Sequence, residues 1–116
     1  MNSNETVINT VDRFGRAVRY RRTVYERHLP DRPEMADYLE EAANTINDPD
    51  LEYQEEPDNG EFGIRVYYKD GLGRGQFEKC LLKVPVHYDH IGGEVATFHF
   101  TRRVGRGEII WQRGQD

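Results

Sequence analysis

Cysteine occurs once, at Cys80, which excludes an internal disulfide. The start "MNSNETV" has no basic segment followed by an apolar stretch, so a cytoplasmic location is expected. Long hydrophobic runs are missing too. The longest, around Cys80 to Val86, contains Lys83 and falls far short of the roughly 20 residues that cross a bilayer, so no membrane contact is expected. The glycine clusters "DGLGRGQ" at 70–76, "IGG" at 91–93 and "VGRG" at 104–107 are not followed by a helical pattern. They carry no Walker or dinucleotide fingerprint and read as hairpin turns. Lysine is scarce: thirteen of the sixteen basic residues are arginine, whose planar fork suits bidentate phosphate contacts and stacks on bases.

What remains is a polar chain of 116 residues, 32% charged, long enough for a single domain over residues 1–116. The net charge of -5 conceals a division. From Asp31 to Glu61 there are twelve acids and one base, Arg32, a balance of -11; the rest carries fifteen bases and nine acids, a balance of +6. That asymmetry favours an anionic partner, although a solvated acidic face would account for it equally.

Local pattern divides the chain into elements. "TVINTVDRFGRAVRYRR" alternates, turns through Gly15 and alternates again, so residues 1–22 read as a β-hairpin appended to a core at 23–113. Thr23 and Glu26 match a capping box for a short helical turn ending at His28, with Pro30 biasing Leu29 out of the helix. Met35, Leu39, Ala42, Ala43 and Ile46 recur at helical spacing behind Asp31, which predicts a main helix of about 32–47. "LEYQEE", "FGIRVYYKD", "FEKCLLKVPVHYD" and "GEVATFHFTRR" then read as four strands, and "GEIIWQR" as a fifth. The expected fold is α+β, one main helix packed on a four- to five-stranded antiparallel sheet.

Alternation along the strands sorts side chains by face. Ile64, Val66 and Tyr68, then Cys80, Leu82, Val84 and Val86, then Ala96, Phe98 and Phe100 are expected under the helix. The opposite face would present Arg65, Tyr67 and Lys69, then Lys79, Lys83 and His87, then Thr97, His99 and Thr101. Histidine, lysine, arginine and threonine on one surface contain what RNA cleavage without a metal needs. One group takes the 2′-hydroxyl proton, a cation stabilises the phosphorane, and an acid protonates the leaving oxygen. His28, at the end of a helical turn, is favoured as a cation by the free carbonyls there; a packing role is the plainer alternative. His87, Asp89, His90 and His99 are not expected to hold a metal, because His87 and His90 would point opposite ways. Cys80 reads as a core thiol. Arg102, Arg103 and Arg106 on turns, with Trp111 for stacking, are candidate RNA contacts, and equally plain solvated loop residues.

The order "HL" at His28, "RPEM" at 32–35, "DPD" at 48–50, "VYYK" at 66–69, "KVPV" at 83–86, "ATFHFTR" at 96–102 and "GEIIW" at 107–111 resembles the phage-associated members of the barnase, EndoU, colicin E5/D and RelE-like nuclease group. The resemblance spans about residues 24–112. It implies a toxin or effector that cleaves RNA without metal or other cofactor, with an inhibitor protein as a possible partner. Carried over by position, His28 would transfer protons, Lys69 and Lys79 would stabilise phosphate, and Thr97 would supply a hydroxyl. Arg65, Tyr67 and His99 complete the expected catalytic group, and Lys83 joins the phosphate contacts. Two departures stand out: Arg32 occupies the place of the family's second histidine, and Pro85 interrupts the third strand. Arg32 favours the rival expectation, an interaction module with a nuclease-like fold and no catalysis.

Overall fold

The computed structural model describes residues 5–55, 63–105 and 107–114. Among them are eight strands in one mixed sheet and two α-helices, an α+β architecture richer in strands than the sequence suggests. The strands are β1 (Thr6–Val11), β2 (Ala17–Arg21), β3 (Leu51–Gln54), β4 (Ile64–Lys69), β5 (Leu81–Tyr88), β6 (Gly93–Val95), β7 (His99–Thr101) and β8 (Glu108–Gln112). Their order is β1-β2-β6-β5-β4-β3-β8, with β7 paired to β5. No described helix is long and apolar enough to cross a membrane.

The N-terminal hairpin is no appendage. β2 pairs with β6 in parallel through Val18 opposite Gly93 and Arg19 opposite Glu94, which welds the hairpin to the sheet. Its side chains also fill the core: Ile8 is 3% exposed, and Val18 and Tyr20 are fully buried. The turn between β1 and β2 follows from Asp12 and Gly15. Asp12 N–H and C=O bond to Arg16 and Gly15 respectively, and Gly15 takes φ 86°, which a side chain would resist.

The expected helix of 32–47 is broken. A 3₁₀ turn covers Pro33–Asp37, Tyr38 leaves the helical region at φ -130° and ψ 21°, and α2 runs Leu39–Asn47. Tertiary packing wins over local propensity here: Met35 is buried against Tyr20, while Tyr38 packs edge-on to Phe77 and Phe100 and accepts the Arg74 N–H. α2 then buries Ala42, Thr45 and Ile46 on the sheet. α1 (Arg22–His28) begins at Arg22, one residue before Thr23, with no side-chain cap.

The single strand expected over 93–103 is two, β6 and β7, both paired to β5. Pro85 explains the interruption. Its carbonyl accepts the Ala96 N–H on that side, where it has no N–H to return, and residues 96–98 leave the ladder.

Pairing register settles the faces. Arg65 stands opposite Val86, Tyr67 opposite Val84 and Lys69 opposite Leu82, so these three share the inner face with the core under α2. Val66 and Tyr68, opposite Pro85 and Lys83, lie on the outer face. The assignment by alternation was therefore inverted for β4. Its residues Val66, Tyr67 and Tyr68 are all buried, at 1%, 0% and 1% exposure, so its burial does not alternate.

Candidate nucleic-acid interface

The inverted strand turns two expected catalytic residues, Arg65 and Tyr67, to the inner face. Tyr67 hydroxyl bonds that of Tyr88 at 2.7 Å, and Tyr88 donates to Asp12 Oδ2 at 2.9 Å. Burial pushes Tyr67 up to about 12, and burial with the neighbouring Tyr67 pushes Tyr88 higher. Burial also works against ionised Asp12, but the N–H groups of Arg16 and Phe14, the Tyr88 hydroxyl and the Arg16 guanidinium outweigh it and hold this carboxyl below its usual range. Beside this chain, Glu52, 1% exposed, accepts Arg13 at 2.9 Å and Arg65 at 2.8 Å, while Arg65 also reaches Gln54 at 2.7 Å. Arg13 lies over the Trp111 ring at 4.4 Å, so the hairpin turn is tied to β3 and β8 across the inner face. Every charged group here is bonded. The lattice is structural, and Arg65, Tyr67 and Trp111 belong to it.

The outer face is different. Lys83 on β5 stands directly opposite His99 on β7, so the two side chains share a face. After β7 the chain turns through Thr101, whose hydroxyl donates to Arg103 C=O at 3.1 Å and accepts its N–H at 3.3 Å. It then crosses toward β8, and Gly105 N–H donates to the Tyr68 hydroxyl at 2.9 Å. Arg102 and Arg103 are exposed on this crossing segment. Arg106 lies outside the described residues.

His99 is the chemically distinctive group of this face. Burial, the positive charge of Arg32 and that of Lys83 push its pKa down to about 4, against a smaller opposing effect of Glu34. Its Nδ1 is buried and has no hydrogen-bond partner among the described residues. At neutral pH it is therefore an uncharged imidazole set beside the cations Lys83 and Arg32.

Charge pairing sharpens the contrast. Arg13, Arg16, Arg19, Arg21, Arg22, Arg65, Lys69, Arg74 and Arg113 all have a carboxylate partner. Arg27, Arg32, Lys79, Lys83, Arg102 and Arg103 have none among the described residues; Arg32 and Lys83 act on His99 and Arg102 and Arg103 follow β7 directly, while Arg27 lies on α1 and Lys79 in the turn before β5.

The remaining predicted residues are dispersed. Lys69 donates to the Asp48 C=O at 2.6 Å and to its carboxylate at 3.1 Å, on the inner face. Lys79 is exposed in the turn before β5. Thr97, half-buried between β6 and β7, donates to Met35 Sδ at 3.8 Å. Thr97 stands beside the level of Val84, which is about 10 Å along β5 from Leu81, and Lys79 precedes Leu81 by two residues. His28 ends α1 half-buried, and its C=O accepts the N–H of Asp31 at 3.1 Å and of Arg32 at 3.2 Å, holding the turn that carries Arg32. No described hydrogen bond joins its ring to Lys79 or Thr97. A recess of about 150 Å³ beside β2 and β6, lined by Arg19, Ile91 and Glu94 among others, contains none of the predicted residues.

Sequence reasoning passed over Glu34, Gly105 and the outer-face position of Tyr68. The meeting of Gly105 with Tyr68 depends on the path of the crossing segment, for which the turn residues "VGRG" were the only signal. Compared with family models, curated proteins and solved structures, the chain matches none.

Proposed function

We propose that this chain is a metal-independent endoribonuclease of the toxin or effector type, binding RNA phosphate on the outer sheet face. One observation carries the reading: His99, its Nδ1 without a hydrogen-bond partner among the described residues, stands directly opposite Lys83, and neither Lys83 nor Arg32 has a carboxylate partner among them. In this reading His99 takes the 2′-hydroxyl proton, the 2′-oxygen attacks phosphorus, and Lys83 and Arg32 stabilise the phosphorane charge. His28, beside the turn that carries Arg32, returns a proton to the departing 5′-oxygen, leaving a 2′,3′-cyclic phosphate. The sequence resemblance implies the same chemistry. Incubation of the purified chain with RNA in excess chelator, beside His99→Ala and His28→Ala, tests it. Cleavage lost by at least a hundredfold in His99→Ala supports the assignment; undiminished cleavage in that variant refutes it.

A second reading is favoured by the internal use of Arg65, Tyr67 and Lys69, which were expected to face substrate. It is an interaction module that binds RNA or an acidic protein on the same face without cutting. An inert wild type that still binds RNA selects this reading.

A further inference from the structure

The turn between β5 and β6 carries Ile91, at 76% the most exposed large apolar side chain among the described residues. The turn is tightly held. Asp89 Oδ1 accepts the N–H of Ile91 at 2.8 Å and of Gly92 at 3.1 Å, and Asp89 N–H donates to the Gly92 C=O at 2.9 Å. Gly92 lies so close to β2 that a Cβ there would stand 2.6 Å from the Ala17 C=O oxygen, which fixes the turn against the hairpin. An isoleucine presented on such a turn gives up little further freedom when it is covered.

Beside it lies the recess of about 150 Å³, whose lining includes Asn9, Ala17, Arg19 and Glu94 as well as Ile91 itself. Arg19 stands opposite Glu94 and Glu94 opposite His87, so the recess opens on the outer face. Val11, 41% exposed and paired with Ala17, extends the apolar surface to the edge strand β1. An apolar cavity of roughly 150 Å³ takes up benzene, and an isoleucine side chain is smaller. A knob and a hole of compatible size thus stand side by side on one surface. A second copy related by a two-fold axis satisfies both at once, because each knob can enter the other copy's hole. Charge favours the same occupant. Arg19 and Arg21 both approach Glu94 Oε1, at 3.0 and 2.8 Å, so two guanidinium groups share one carboxylate oxygen. Asp89 Oδ2 has no hydrogen bond among the described residues, and the same two-fold axis carries it, two residues from Ile91, toward those guanidinium groups.

We propose that the outer face around Ile91 is an interface between two copies of this chain. Ile91 of each copy enters the recess beside β2 and β6 of the other, and Asp89 of each faces Arg19 and Arg21 of the other. This pairing does not rest on the ribonuclease reading.

Sedimentation equilibrium of the full-length chain should show a reversible monomer–dimer equilibrium. Ile91→Ser, at an exposed position, should raise the dimer dissociation constant at least tenfold and leave the far-ultraviolet circular dichroism spectrum unchanged. Ala17→Met, which fills the recess from its own wall, should weaken the dimer as much and stands in if the serine variant does not fold. Asp89→Asn keeps the acceptor that holds the turn and removes the charge, so it should weaken the dimer and reduce its dependence on salt. A wild type that stays monomeric at every concentration leaves the recess to some other occupant and overturns the proposal. A dimer that Ile91→Ser and Ala17→Met leave at full strength overturns it too, and places the contact elsewhere, the exposed Ile109 and Ile110 of β8 being the next surface to replace.

Discussion

An imidazole whose pKa is pushed down to about 4 from 6.5 makes folding respond to acid in a specific way. Between those two values the unfolded chain binds a proton that the folded chain refuses, so stability rises with pH across this window and falls as pH drops from 6.5 toward 4. Allowing for partial exposure, the loss should be about 1–2 kcal/mol, and His99→Gln should remove that part of the slope in denaturant titrations at pH 4 to 7. A phosphate bound beside His99 favours the imidazolium, so saturating phosphate should shift the ring's titration upward, readable from its ¹³C and ¹H resonances. The buried lattice gives a second residue-scale expectation. Tyr88→Phe keeps the ring but leaves Asp12 and Tyr67 each short of a partner, which should cost about 1–3 kcal/mol. Glu52→Ala strands two guanidinium groups and should cost about 3–5 kcal/mol, the difference between the two variants being measurable in urea.

Elements decide which of these residues meet, and here the sequence was only partly legible. Alternation on β5 and β7 placed Lys83 and His99 on one face, because burial along β5 alternates residue by residue and so fixes its phase. On β4 the same rule put Arg65, Tyr67 and Lys69 on the wrong side, since three consecutive residues are buried and only the pairing with β5 fixes the phase. The hairpin was misjudged for a related reason. Alternation revealed two strands but held no sign of the parallel pairing of β2 with β6, which joins residues about 75 positions apart, a spacing that local pattern does not report. Pro85 was read as interrupting the third strand, but β5 runs unbroken through it in the middle of the sheet, and the break falls on the facing chain, where β6 gives way to β7. The hairpin's true standing is testable. Removing residues 1–21 deletes Ile8, Val18 and Tyr20 from the core, at roughly 1.5–3 kcal/mol each, along with the Asp12 and Arg13 bonds. That loss rivals the whole stability of a domain this size. The truncated chain should lose its cooperative thermal transition by circular dichroism; a sharp transition near that of the full chain would restore the hairpin to an appendage.

For the whole molecule, the acidic and basic halves of the sequence do not become acidic and basic halves of the surface, because many charges cancel locally. Glu52, Asp48 and Asp50, all from the acidic stretch, are taken up by Arg13, Arg65, Lys69 and Arg113. Cancellation leaves six cations without partners among the described residues, of which Arg32, Lys83, Arg102 and Arg103 lie about His99 or directly after β7 and Arg27 and Lys79 on α1 and before β5, and a chain of net charge -5 can therefore still present one attractive face to RNA. The ionic-strength dependence of binding counts them. If Arg32, Lys83, Arg102 and Arg103 each meet a phosphate of single-stranded RNA, log K should fall with log salt at a slope of about -3, from roughly 0.7 per contact. Replacing Lys83 by Met should flatten that slope by about 0.7, whereas Arg19→Ala, which removes a cation already held by Glu94, should leave it unchanged. Anisotropy titrations of a 2′-O-methyl RNA between about 50 and 300 mM salt would read both changes without interference from cleavage. Equal slopes in wild type and Lys83→Met would mean that the partnerless cations are not the contact surface, and that RNA, if bound at all, engages elsewhere on the fold.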